Sequence, residues 1–305
     1  MKPVAEPALE AGGVRLRGRV WPGTRRGAPA VLLLHATSFC AAAWEPVWRA
    51  ACAAGAQAAA ALATDARGHG ASEAPPDPQA YAWTRFAEDA AAWIDALADL
   101  VPGAGHEVVL AGHSSGATAA LAAAAARPSR VRGVLAVEPV LFDPPPPGAD
   151  ADSSPGSRFM AAQARRRRAR FESADDARTR LAARPPYAGF APESLAAVLA
   201  CALAEETSGG VALRCAPEIE ASCYDGAAAL DVWPAVGRLA CPVRLVAGER
   251  GFMPPALVAR IRERTPRSSV ETVPGGTHFV ALEQPVRVGE ALARFLDDLA
   301  RDRAD

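Results

Sequence analysis

The chain has 305 residues, half of them hydrophobic, and 33 lysines and arginines stand against 34 acidic residues. This length suits one large domain or two smaller ones, with apolar side chains enough for a sizeable core. A formal net charge of −1 excludes the basic bias that draws a protein to nucleic acid or to an anionic membrane surface.

Cysteines at positions 40, 52, 201, 215, 223 and 241 include no C-x-x-C pair and no Cys/His cluster with zinc spacing. Six free thiols, as in a reducing compartment, are the expectation. The N-terminus, MKPVAEPALEAGG, lacks an apolar signal segment. The alanine-rich stretch from Ala50 to Ala63 is too short and too weakly apolar to cross a bilayer. A soluble cytoplasmic protein is therefore expected. Its oligomeric state is left open between monomer and homodimer.

In chain order, VRLRGRVW (14–21) alternates and reads as an early strand or hairpin arm. AVLLLH (30–35) is a continuous apolar run suited to a strand buried on both faces. Trp44 to Ala56 reads as a helix, and 57–65 as another buried strand. Trp83, Phe86, Ala87, Ala90, Trp93, Ile94 and Leu97 recur at helical spacing, so Trp83 to Leu100 is predicted helical. EVVLA (107–111) reads as a short strand, Ser115 to Ala126 as an alanine-rich helix, and VRGVLAVE (131–138) as a strand.

The alternation then breaks. Asp143 to Pro155 is rich in Pro, Gly, Asp and Ser, with four prolines in a row, which no helix or central strand can cross. Several short helices without strong strands are expected up to about Pro234. Beyond lie a strand at 243–247, a helix from Pro255 to Arg264, a strand at 269–273 and a helix from Pro285 to Leu299. Strands alternating with helices imply a doubly wound, mostly parallel α/β sheet. The organisation expected is a core of residues 1–142 and 236–305, with a helical cap of 143–235 inserted. Ligands bind beyond the carboxyl ends of strands in such sheets, so the cap is expected to cover the site.

Gly112-His113-Ser114-Ser115-Gly116 follows the EVVLA strand and opens the alanine-rich helix. Gly-x-Ser-x-Gly between strand and helix is the signature of a nucleophile elbow: a strained turn lifts the serine hydroxyl clear of the sheet, and side chains at the flanking glycines would clash. The helix N-terminus behind Ser114 favours developing negative charge, and the Ser115 N–H is a candidate oxyanion donor.

Four motifs in order resemble the α/β-hydrolase superfamily over nearly the full length: VLLLHATSF (31–39), DARGHGAS (65–72), GHSSG, and GGTHFVALEQP (275–285). The resemblance implies an α/β-hydrolase fold and a Ser-His-acid triad without metal or organic cofactor. It also implies a second oxyanion N–H at Thr37, although Ala36 stands where the family usually has glycine. His35 would support the oxyanion loop, and Asp65, Arg67, His69 and Ser72 would hold the DARGHGAS turn. His106 precedes a strand and is expected to be exposed. His113 alternates with Ser114 and should pack against the sheet. His278, after the last strand, is the expected base, in the chain order Ser, acid, His.

The acid is less direct. The family's usual aspartate slot, after the strand 243–247, holds Gly251. Some family members, certain haloalkane dehalogenases among them, carry the acid one strand earlier. Glu138 ends that strand here, where an unpartnered charge would be costly. Glu138 is therefore favoured, with Glu249, Asp143 or no acid as the alternatives. Arg165 to Arg168 read as one solvated helical turn, since four consecutive residues point in all directions; one could still face an acidic substrate. Phe159, Met160, Phe171, Tyr187, Phe190 and Tyr224 are read as cap core, of which a few are expected to line the substrate pocket.

The expected activity is cleavage of an ester, thioester or lactone of a small organic substrate through an acyl-enzyme. A serine nucleophile argues against epoxide hydrolase and dehalogenase chemistry, which by resemblance use aspartate. The alternatives are a C–C bond hydrolase and a non-hydrolytic ligand-binding protein on the same fold.

Overall fold

A computed structural model describes residues 1–101, 103–143 and 154–302. The four consecutive prolines, Pro144 to Pro147, lie outside the described residues. A short hairpin opens the chain, β1 (Ala8–Ala11) and β2 (Val14–Pro22). There follow β3 (Ala30–Leu34), α1 (Glu45–Ala53), β4 (Ala60–Asp65), α2 (Trp83–Leu100), β5 (Val108–His113), α3 (Ser115–Ala126) and β6 (Val131–Val137). The inserted segment holds α4 (Pro155–Arg165), β7 (Arg170–Phe171), α5 (Ala174–Ala182), α6 (Pro192–Ala202), β8 (Leu203–Glu205), β9 (Val211–Leu213), α7 (Pro217–Asp225) and α8 (Trp233–Val236). The chain closes with β10 (Val243–Arg250), α9 (Pro255–Arg264), β11 (Ser268–Thr277), α10 (Val280–Glu283) and α11 (Pro285–Arg301).

Eight strands form one sheet in the order β1-β2-β4-β3-β5-β6-β10-β11. The pairs from β4 to β11 are parallel, and β2 joins β4 antiparallel. The doubly wound α/β expectation holds. The reason is visible in the strands: all five residues of β3 and all six of β4 and of β5 are buried, as a sheet covered on both faces requires. Successive side chains alternate between the two layers. Leu32, Leu62 and Leu110 face α2 and α3, packing with Trp93, Ile94 and Leu121. Val31, Leu33 and Val109 face α1 and α11, packing with Val47, Trp48, Val288 and Phe295.

Two features of the inserted segment go beyond the sequence reading. It carries a small antiparallel sheet, β7-β9-β8, built from strands of three residues or fewer that periodicity cannot register. The four arginines do not make a helical turn either, because α4 ends at Arg165. The segment packs on the core through Tyr187, Phe190, Val198 and Ala202, which meet Ala36, Phe39, Ala43 and Leu282. Cys40 and Cys201, separated by 161 positions, form a disulfide across this contact, which overturns the free-thiol expectation for that pair. Their spacing held no signal, since only the docking of α6 brings them together. Cys52, Cys215, Cys223 and Cys241 are free. No described helix is long and apolar enough to cross a membrane.

Candidate active site

The carboxyl ends of β5, β6, β10 and β11 converge at one rim of the sheet. Ser114 follows β5 directly, in the left-handed region at φ 56° and ψ −121°. Such backbone costs a non-glycine residue of the order of 1–3 kcal/mol and persists only where the surroundings enforce it. Here both flanking glycines are obligatory. A Cβ on Gly112 would stand 2.4 Å from the Gly116 carbonyl oxygen, and one on Gly116 would stand 2.3 Å from the Leu34 carbonyl oxygen. The elbow therefore has β3 on one side and the first turn of α3 on the other.

Ser114 Oγ lies 2.9 Å from His278 Nε2, and His278 Nδ1 lies 3.2 Å from Glu138 Oε2. With Nδ1 donating to the carboxylate, Nε2 is left as the acceptor for the serine proton. The structure thus brings together the three residues favoured from sequence. Glu249 and Asp143 lie elsewhere. Glu249 is exposed and accepts from the Gly275 N–H at 2.7 Å. Asp143 pairs with Arg260 on the surface.

Glu138 is fully buried and also has a positive φ, 47°. Its oxygens accept from the N–H groups of Gly248 at 2.8 Å and Phe252 at 2.7 Å. Hydrogen bonds to a charged group contribute about 1.5–3 kcal/mol each, which offsets the desolvation that would otherwise expel a carboxylate. Gly251 explains why the acid can arrive from β6. A Cβ at this position would fall 2.0 Å from Glu138 Oε1. The empty aspartate slot is the space that the Glu138 carboxylate fills.

The histidine loop is held from three sides. Phe252, 67% exposed, stacks on the His278 ring with centroids 4.5 Å apart and planes 17° apart. The His113 Nε2 lies 2.7 Å from the His278 carbonyl oxygen, so His113 is a neutral donor there; burial pushes its pKa down to about 3. Thr277 binds Glu283 through its N–H and hydroxyl, at 2.8 and 2.7 Å. Sequence reasoning missed Phe252, which lies far from His278 in the chain and carries no sequence signal, and the Thr277–Glu283 pair, whose only signal is its nearness to His278.

The oxyanion loop is tied to the DARGHGAS turn by two histidines. His35 Nε2 accepts from the Ala66 N–H and His69 Nε2 from the Ser38 N–H, both at 3.0 Å. Burial lowers both imidazoles to a pKa of about 4, which keeps them neutral and able to accept. Asp65 receives the Ala41 and Ala71 N–H groups at 2.7 and 2.9 Å, and Ser72 Oγ donates to the Asp65 carbonyl. Arg67 makes a bidentate buried pair with Asp89 at 2.6 and 2.8 Å. His106 is exposed, as expected.

The expected oxyanion donors differ. The Ser115 N–H belongs to the first turn of α3, where no helical carbonyl can take it. The Thr37 N–H instead donates to Ser115 Oγ at 2.9 Å, and Thr37 Oγ1 to the same oxygen at 3.0 Å. Thr37 is thus at the site with its N–H engaged, because a serine rather than an apolar residue follows Ser114.

Above the oxyanion loop, a cavity of about 420 Å³ opens between the inserted segment and the core, reaching Thr37, Phe39 and Phe279. Tyr187 is buried on its wall, together with Phe190 in the cluster behind, whereas Phe159 and Met160 are exposed. Phe171, Tyr187 and Phe190 are buried and Tyr224 is half-buried, as packed residues of the inserted segment; Met160, Phe171, Tyr187 and Tyr224 also line the cavity, as expected of a few of them, whereas Phe159 is exposed outside it. In the arginine run, Arg165 pairs with Asp225 and Arg167 with Glu220. Arg168 lies over the Phe171 ring, and Arg166 faces the cavity.

Comparison with known proteins agrees with this architecture. The 2-(acetamidomethylene)succinate hydrolase of Mesorhizobium japonicum is 28% identical over 239 residues, 77% of this chain and 78% of that protein. The crystal structure of E-2-(acetamidomethylene)succinate hydrolase superposes with a TM-score of 0.77 at 24% identity, covering 96% of this chain and 99% of the other. The thioesterase domain from the curacin biosynthetic pathway has a TM-score of 0.74 at 20% identity, covering 96% and 99%. At these identities the two structural likenesses are likenesses of fold. A family model described as the alpha/beta hydrolase family matches residues 31–291. The chain belongs to the alpha/beta hydrolase family.

Proposed function

We propose that the protein cleaves an acyl bond of a small organic substrate, an ester, thioester or lactone, through an acyl-enzyme on Ser114. The observation that carries this reading is the unbroken relay from Ser114 Oγ through both nitrogens of His278 to Glu138, at 2.9 and 3.2 Å. Ser114 Oγ attacks the carbonyl carbon while His278 Nε2 takes its proton, and Glu138 holds the imidazole in the required tautomer. The oxyanion accepts the Ser115 N–H and takes the Thr37 N–H from the Ser115 hydroxyl. His278 then protonates the leaving group. Water, deprotonated by the same nitrogen, releases the acid and restores Ser114. The inserted segment acts as a cap that walls the acyl site from bulk water.

The relative from Mesorhizobium japonicum favours a second reading of the scissile bond, because its named substrate is an acetamido-substituted succinate. An amide then replaces the ester, with the same attacking atoms. Both readings are tested by one panel of ethyl esters, acyl thioesters and N-acetyl amides, quenched within a single turnover and analysed by intact mass. The expected result is an acyl adduct on Ser114 with at least one class, lost in Ser114→Ala. Turnover that survives Ser114→Ala would overturn the mechanism.

A further inference from the structure

We propose that the cavity above the oxyanion loop holds the carboxylate of an anionic substrate between Arg166 and Arg184. The inference rests on the acyl-transfer reading for the reaction and adds the charge class of the molecule that undergoes it. The chain as a whole is nearly neutral, yet five arginines line this one cavity against a single carboxylate, Glu220.

Three of the five already have partners. Arg167 is bound to Glu220 and to the Tyr187 hydroxyl, Arg180 to Asp176, and Arg168 to the Arg170 carbonyl oxygen at 2.9 Å. The guanidinium groups of Arg166 and Arg184 have no carboxylate within 4.0 Å and no hydrogen-bond acceptor among the described residues. Each therefore keeps a planar fork of donors matched in shape to a carboxylate. A concave wall with excess charge of one sign focuses its field on the space it encloses and raises the local concentration of the opposite charge.

The rest of the cavity fits a short carbon spacer. Phe39 and Phe279 lie with ring centroids 6.1 Å apart, and Phe279 is 5.3 Å from the His278 ring. An apolar step thus separates the arginines from the reacting atoms. A volume of about 420 Å³ lies at the small end of ligand sites, as suits a short diacid half-ester or half-amide and not a long acyl chain.

The test compares monoethyl succinate with ethyl 4-methylpentanoate, in which an isopropyl group replaces the carboxylate. In the wild type, kcat/KM should favour the anion, and added salt should weaken that preference. Arg166 and Arg184 are both exposed, so in Arg166→Ala/Arg184→Ala the ratio of the two kcat/KM values should fall by about 2–30-fold, the worth of two solvent-screened charge contacts. Arg178→Ala/Arg262→Ala, on α5 and α9 outside the cavity, removes the same net charge and should keep the ratio. A wild type that does not distinguish the two esters, or a double variant that keeps the ratio, would overturn the charge class while leaving the hydrolase standing. If neither ester is turned over, succinate binding to the intact protein by calorimetry decides instead. Binding lost in the double variant supports the site, and absence of binding to the wild type overturns it.

Discussion

Replacing Gly251 by alanine introduces one methyl group at the point where the site has least room. Gly251 has an ordinary negative backbone angle, so alanine imposes no torsional strain there. The effect is steric: the new Cβ would stand 2.0 Å from Glu138 Oε1, 2.4 Å from its carboxyl carbon and 2.6 Å from Oε2. A comfortable contact needs roughly 3.4 Å, so the carboxylate must retreat by about 1.4 Å. The 3.2 Å contact of Oε2 with His278 Nδ1 has no such reserve and passes out of hydrogen-bond range. His278 then loses its orienting partner, a loss worth about 10³–10⁴ in kcat, or roughly 4–5.5 kcal/mol of transition-state stabilisation. Overpacking costs about 1–3 kcal/mol of stability besides. The assay is a double-mutant cycle on kcat. Gly251→Ala and Glu138→Ala should each be severe alone, and the double variant should be little worse than Glu138→Ala, because both act through one carboxylate. Glu138→Gly/Gly251→Asp, which moves the acid to the neighbouring strand, should recover part of the loss. Near-normal turnover in Gly251→Ala would refute the reasoning, as would full additivity in the cycle.

Asp89→Ala leaves the buried Arg67 guanidinium unpaired and should destabilise the fold by about 3–5 kcal/mol, a fall in Tm on the order of 10 °C, by thermal or denaturant unfolding; a change of under about 1 kcal/mol would contradict the account of that turn. Stability should also fall as the solution is acidified from pH 7 to 5. His35 and His69 titrate near pH 4 and His113 near pH 3 in the fold, against an ordinary value near 6.5. Between these limits only the unfolded chain gains the protons. Each histidine then costs about 2 kcal/mol at pH 5, together roughly 6 kcal/mol that is absent above pH 7. Asp65, whose carboxyl burial pushes up, opposes this at the acid end. Denaturant titrations across the window should show close to three protons bound on unfolding at pH 5, and a flat profile would contradict the burial of these rings.

Much of this was legible in the sequence because the constraints were local. GHSSG between a β-branched strand and an alanine run dictates an elbow, and α2, α3 and α9 begin and end at the predicted residues. The position of the candidate acid was legible through an absence: glycine at 251 and glutamate at 138 are two halves of one steric arrangement. What sequence reading missed depends on contacts between distant segments. The Cys40–Cys201 bond and the small sheet of the inserted segment have no periodic signature. The engaged Thr37 N–H follows from a hydroxyl whose direction only packing determines. The arginine run reads as a solvated helix until α4 is seen to stop at Arg165, which turns its members toward different partners.

The account depends on Ser114 being an activated nucleophile rather than a serine in a strained turn. Incubation with a fluorophosphonate, followed by intact mass and peptide mapping, tests this without knowledge of the substrate. The account predicts one phosphonyl adduct per chain, on Ser114, absent in Ser114→Ala and formed far more slowly in His278→Ala. A wild-type protein that stays unlabelled, or is labelled at another residue, would contradict it.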